Sequence, residues 1–419
     1  MEQQIFHHTY ENGITLVAQP MPWLESAAFS IAVPAGCRYD ALSQRGIANF
    51  VCEMVQRGCG DLNSREFIEA LESLGVDYSS SASLYNTNFG GAMQAAQLHD
   101  ALRIYADVLQ RPAFPKDQLE DGRLVCFQEI ASLGDDLAQR ALQKLRTNFY
   151  GSIDGRNCEG TLETVQKITL DDIKNFYDRH YRPNGLIIAC AGKLEFDSLK
   201  AHVGELFQNW HPKPDPTVTT EPATHGVEHI VHESEQTHIA IAYPGVPYSH
   251  ENYYLNRGAI GVLSGGMSSR LFTEVREKRG LCYTVFASCH TLKDKGAVLC
   301  YSGTTNERAQ ETLDVIIEEL QKMALGIKED ELRRLKVQIR SGMVMQQESC
   351  RGRAGSIAGD WFHLGRVRTL DEVNQKINEL TVESINEYLA ANPPQSFDIV
   401  TLGPQPLEFE ANGISATQA

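Results

Sequence analysis

The chain has 419 residues, 42% of them hydrophobic and 22% charged, and carries a formal net charge of -16. That length exceeds one ordinary core and implies two or more domains of a globular protein. The negative balance argues against nucleic acid or an anionic membrane as a partner, because both need basic patches. No apolar run is long enough to span a bilayer. The first residues lack the basic start and apolar core of a secretory leader. The ten cysteines show no C-x-x-C spacing. In a chain of this length they read as reduced thiols of a cytoplasmic protein.

In chain order, Asn12-Gly13 signals a turn before the strand Ile14 to Val17. Ala27 to Pro34 is the next strand. Gly46 to Gly58 follows, with Ile47, Phe50, Val51 and Met54 at helical spacing, and reads as a buried helix. Ser64 is the expected cap of a helix from Arg65 to Leu74, stopped by Gly75. Tyr78 to Ala82 and Thr87 to Gln94 read as a strand pair. Helices follow over Leu98 to Leu109, from near Lys116 through Glu129, and over Asp136 to Tyr150. Thr169 caps a helix over Leu170 to Arg179, and Leu186 to Ala191 is a fully apolar strand.

Four prolines between His211 and Pro222 mark a stiff, extended domain boundary. Beyond it the chain repeats itself. Ile31-Ala32-Val33-Pro34 returns as Ile241-Ala242-Tyr243-Pro244, and Ile168-Thr169-Leu170 returns as Leu380-Thr381-Val382. The strand Ile187 to Gly192 returns as Asp398 to Gly403. An offset of roughly 210 residues is a whole-domain duplication rather than a solenoid period. The expected architecture is α+β. It has two homologous domains, residues 1–210 and 226–419, joined by a Pro-rich linker at 211–225. Each is a mostly antiparallel sheet with helices packed on one side. The second half continues with helices from Thr304 to Gly326 and from Lys328 past Met343. The tail from Phe409 is polar and small, and reads as frayed.

The motifs resemble those of the pitrilysin/insulinase-type zinc peptidases, the inverzincins, over nearly the whole chain. The first half has Gly-x-Ala-x-Phe, starting at Gly46. The second has Ser-Gly-Gly-Met-Ser-Ser-Arg-Leu-Phe, ending at Phe272, then Arg-Glu-Lys-Arg-Gly-Leu-x-Tyr, from Arg276 to Tyr283. In that family the first motif helix carries H-x-x-E-H, whose two His bind zinc and whose Glu is the general base. Here Asn49, Cys52 and Glu53 stand in those places, and the third ligand position falls at or beside Glu129. One amide and two carboxylates suit zinc poorly, and no general base remains. The family's Arg and Tyr, which complete the active site from the second half, map onto Arg276 and Tyr283.

The resemblance implies the two-domain branch that includes mitochondrial processing peptidase. Two such chains pair there as a clamshell around a chamber, and this chain corresponds to the non-zinc subunit. The expected function is a catalytically incomplete subunit of a heterodimeric zinc endopeptidase that cleaves unstructured peptides. Zinc is expected on the homologous partner and no cofactor in this chain. Two alternatives stand beside it. One is a structural or peptide-binding protein like the core subunits of the respiratory bc1 complex. The other is an autonomous hydrolase with a metal site rebuilt from Cys52, Glu53 and Glu129. The Tyr78 to Ala82 strand resembles the family's peptide-pairing edge. The Gly265-Gly266 turn admits either close approach of a peptide or a tight helix junction. His225, His229, His232 and His238 cluster after the linker, but strand alternation separates them.

Overall fold

The computed structural model describes residues 3–218 and 221–409; the tail after Phe409 lies outside the described residues. The first half contributes strands β1 (Phe6–Thr9), β2 (Thr15–Pro20), β3 (Ser26–Val33), β4 (Asp77–Ala82), β5 (Thr87–Gln94) and β6 (Ile187–Gly192). Its helices are α1 (Ile47–Met54), α2 (Ser64–Ser73), α3 (Leu98–Gln110), α4 (Leu119–Asp135), α5 (Leu137–Asp154), α6 (Leu162–Lys167), α7 (Leu170–His180) and α8 (Phe196–Phe207). The second half contributes β7 (Val227–Val231), β8 (Gln236–Pro244), β9 (Cys282–Thr291), β10 (Gly296–Thr305) and β11 (Asp398–Gly403). Its helices are α9 (Tyr253–Ser264), α10 (Ala309–Lys322), α11 (Glu329–Gln347), α12 (Cys350–Leu364), α13 (Leu370–Glu379) and α14 (Val382–Ala391).

These elements form two units, neither of which is a simple half of the chain. The first runs through Ser132, resumes at Asn157 and takes in Val344–Thr369 from beyond the linker. The second holds Leu133–Arg156 from before the linker, the chain after it as far as Met343, and the residues from Leu370 onward. Each unit thus owns a helix encoded in the other half, α12 and α5 respectively.

The first unit is a six-stranded sheet ordered β1-β2-β6-β3-β5-β4, antiparallel except between β2 and β6. The second is a five-stranded sheet ordered β7-β11-β8-β10-β9, antiparallel except between β7 and β11. The expected α+β architecture of sheets covered by helices is therefore what forms.

One expectation is corrected. The helices do not all lie on one side of the first sheet. Leu16, Phe29, Ile31 and Ile188 pack with Phe50, Val51 and Met54 of α1 and with Tyr105 and Leu109 of α3. On the opposite face Val17, Ala32, Ile187 and Ala189 meet Ile357 and Ala358 of α12, while Ala28 and Ala191 meet Cys350 and Ala354. The physical reason is in β6, every residue of which is buried. A strand apolar on both faces needs cover on both, and its small residues Ala189 and Ala191 let a helix approach closely.

Two local expectations also shift. Asn63, not Ser64, caps α2. Its side chain accepts from the Arg65 and Glu66 amides, at 3.0 and 3.1 Å, and Glu66 returns the bond as a capping box. Thr169 caps α7 as expected, with Asp172 as its partner. Cys37 and Cys158, 121 residues apart, form a disulfide, whereas the other eight cysteines are free. The all-reduced reading thus fails at one pair, because contacts made by folding, not spacing in the chain, bring those two residues together.

Because Ile357 is fully buried between α12 and the first sheet, Ile357→Ala should cost about 2–4 kcal/mol. Hydrogen exchange read by mass spectrometry should speed up in β2, β3 and β6. It should leave β8 and β10 at the parent rate.

Candidate functional site

Helix α1 is set by its first turn. Gly46 has a φ of 95°, and a Cβ there would lie 2.5 Å from the Glu159 carbonyl, so only glycine fits. The buried Asp40 carboxylate accepts from the Gly46 and Ala48 amides, at 2.9 and 3.3 Å, and supplies the N-terminal cap. Ile47, Phe50, Val51 and Met54 face the core, which leaves Asn49 and Glu53 on the less buried side.

The four residues mapped onto a metal centre are each engaged without one. The Asn49 amide donates to Glu129 Oε2 on α4 at 2.6 Å. Glu53 is held by Arg57, one turn later, at 2.7 and 2.9 Å. Cys52 is buried, and burial pushes its thiol up to about 12, so it is neither a thiolate nucleophile nor a base. Burial also raises the Cys126 thiol. Glu129 reaches solvent yet is crowded by protein. That crowding raises its pKa from the ordinary 4.5, the Asn49 bond opposes the rise, and the Glu53 and Glu159 carboxylates add to it. Among the described residues no group of three or more His, Cys, Asp or Glu side chains is placed to hold a metal ion.

In the second unit, residues Phe272–Glu277 form a π-helical turn, with the Lys278 amide reaching back five residues to the Thr273 carbonyl at 3.0 Å. Such turns recur at functional sites. Leu271 and Val275 are fully buried and anchor it. Arg276 has its guanidinium carbon 4.7 Å from the Phe272 ring centre and 5.0 Å from that of Tyr283. Tyr283 is 81% exposed. Its neighbours Cys282 and Thr284 pair with the consecutive residues Thr304 and Gly303, which makes Tyr283 the extra residue of a β-bulge. A charge network beside it joins Glu274 to Lys278 at 2.6 Å and to Arg279 at 3.0 Å. Among the described residues no carboxylate pairs with Arg276.

The remaining candidates resolve into ordinary roles. Gly265 ends α9, where a Cβ would meet the Gly261 carbonyl at 2.3 Å, and one on Gly266 would meet the Gln338 side chain at 2.7 Å. This favours the tight helix junction. The histidines after the linker bond separately: His225 to Asp398, His229 to Thr401 and the buried His238 to Tyr301, each within 2.8 Å. Strand β4 is an edge that pairs with β5 and has its side chains largely exposed. Among the described residues no helix is long and apolar enough to cross a membrane.

Two duplicated α+β units with these motifs define a peptidase-type scaffold. Residues 17–156 match the model of insulinase (peptidase family M16), and residues 167–339 match that of the peptidase M16 inactive domain. The chain belongs to peptidase family M16. It is 27% identical over 389 residues to an uncharacterized zinc protease, YmxG, of Bacillus subtilis, covering 91% of this chain and 94% of that one. It is 25% identical over 377 residues to an uncharacterized zinc protease of Rickettsia felis, covering 90% and 92%. Among solved structures it resembles a peptidase M16 inactive domain from Pseudomonas fluorescens. That match has a TM-score of 0.87 and 21% identity, covering 98% of this chain and 100% of that one. A protease from Helicobacter pylori matches with a TM-score of 0.88 and 20% identity, covering 96% and 100%.

The zinc in those relatives' names does not fit the residues present here. Asn49 turns an N–H donor toward Glu129, Glu53 is taken by Arg57, and Cys52 is a neutral buried thiol. Two participants escape sequence reasoning. Arg57 carries a signal in its i,i+4 spacing from Glu53. Phe272 carries the same signal in its i,i+4 spacing from Arg276.

A carboxyl whose pKa is higher in the folded state binds more protons there. Glu129 therefore favours folding below its ordinary range and costs stability as pH rises through the interval just above 4.5. Glu129→Gln should remove that cost. Its melting temperature relative to the parent should climb between about pH 4 and pH 7, by scanning calorimetry.

Proposed function

We propose that this chain is a catalytically incomplete subunit of a heterodimeric zinc endopeptidase, its zinc motif degenerate and its Arg276 and Tyr283 lent to a zinc-bearing homologous partner. The observation that carries this reading is a guanidinium without a carboxylate partner, lying over an exposed, bulged phenol. The nearby Glu274 carboxylate is engaged by Lys278 and Arg279 and not by Arg276.

Peptide hydrolysis develops negative charge on the former carbonyl oxygen. The Tyr283 O–H and the N–H fork of Arg276 are donors suited to that oxyanion or to the adjoining main chain. Both donors need freedom from internal hydrogen-bond acceptors, and among the described residues neither side chain donates to one. The metal and the base that activates water belong to the partner. An extended, unstructured peptide matches the exposed edge β4, which could take it up as an added strand.

The second reading, a peptide-binding or structural member without activity in any pairing, draws on that same edge and on the engaged state of Asn49, Glu53 and Glu129. The two separate in one experiment. The chain is mixed with a family member carrying intact H-x-x-E-H, and turnover of a fluorogenic unstructured peptide is measured. Arg276→Ala and Tyr283→Phe should each lower the mixture's kcat by about a hundredfold. Unchanged rates in both variants exclude the lending of donors.

A further inference from the structure

Phe272 is a large aromatic residue that does no work in the core. The second unit's core brings together Leu271, Val275, Leu281 and Val298, with Cys282 and Val285 packed against it, and Phe272 is absent from it. It is half-buried instead. One of its contacts is the face it offers to Arg276, 4.7 Å from the guanidinium carbon. The ring centre of Tyr283 lies 5.0 Å from the same carbon. A long, flexible arginine without a salt bridge would ordinarily sample many rotamers. Here two aromatic rings lie within about 5 Å of the guanidinium carbon and restrict it by cation–π contact. Residues four apart are neighbours on a helical turn, so the ring of Phe272 and the stem of Arg276 run side by side.

We propose that Phe272 is the positioning residue of this site: its ring holds the Arg276 guanidinium beside Tyr283, so that the fork meets a peptide in one orientation. The proposal rests on the donor-lending reading above, and adds that the fork's orientation is set by stacking and not by charge. Stacking leaves the positive charge unspent. A carboxylate in the same place would fix the arginine equally well and cancel what it offers the oxyanion.

The test uses the mixture with an H-x-x-E-H family member and the fluorogenic unstructured peptide. Phe272→Leu keeps apolar bulk and loses the ring face, whereas Phe272→Tyr keeps both. The expected result is that Phe272→Leu lowers kcat by roughly three- to tenfold with KM within about twofold. Phe272→Tyr should stay close to the parent. If Arg276→Ala slows the mixture and Phe272→Leu does not, the positioning role is overturned and donor lending stands. If both Phe272 variants fall equally, packing and not stacking is at work, and the proposal fails. If Arg276→Ala is also without effect, or no mixture turns over, donor lending itself fails and takes this proposal with it.

A second measurement needs no partner. The unmixed chain is treated with phenylglyoxal, and modification of Arg276 is followed by peptide mass spectrometry. Phe272→Leu should be modified several-fold faster than the parent, and Phe272→Tyr at nearly the parent rate. Equal rates in all three overturn the proposal.

Discussion

A single amide-to-carboxylate hydrogen bond, from Asn49 on α1 to Glu129 on α4, ties together the two helices onto which the family's metal motif maps. The Glu53 carboxylate comes close enough on this helix pair to add to the cost of charging Glu129, which crowding by protein chiefly sets. A divalent cation is one way to relieve such a pair. The chain uses another: Arg57 neutralises Glu53 and the Asn49 N–H satisfies Glu129. Asn49, Glu53 and Glu129 thereby each have a partner inside the protein. The buried thiol of Cys52, pushed up to about 12, adds no reactive group.

The second unit does the opposite with its charge. In a chain of net charge -16, nearby anions could have neutralised Arg276, yet Glu274 is spent on Lys278 and Arg279. Aromatic faces hold the guanidinium in place of a carboxylate. A bulge turns Tyr283 outward at the start of an otherwise regular strand. A π-helical turn, a bulge and an unneutralised charge within twelve residues are three departures from local regularity. Departures of that kind gather where function, and not stability, sets the geometry.

Much of the architecture was legible in the sequence, because it follows from periodicity. Thr87 to Gln94 and the apolar run ending at Gly192 announce their strands, and Thr169 with Asp172 announces its helix start. The duplication was legible through the repeated strand ends. What escaped was set by tertiary contact. The all-apolar β6 says that both faces need cover but not that α12, some 160 residues later, supplies it. The Cys37–Cys158 pair depends on loops that only folding brings together. At the candidate site the residue identities were legible and the geometry was not. Nothing in the string from Phe272 to Tyr283 reveals the π-helical winding or the bulge found beside Arg276.

The central claim is that the chain contributes donors and no metal chemistry of its own. Peptidase turnover and bound zinc, measured together on the chain purified without chelator, test it most directly. The account predicts no turnover and no stoichiometric zinc in the unmixed chain, with turnover appearing once an H-x-x-E-H relative is added. Stoichiometric zinc on the unmixed chain, accompanied by peptide cleavage, would contradict it.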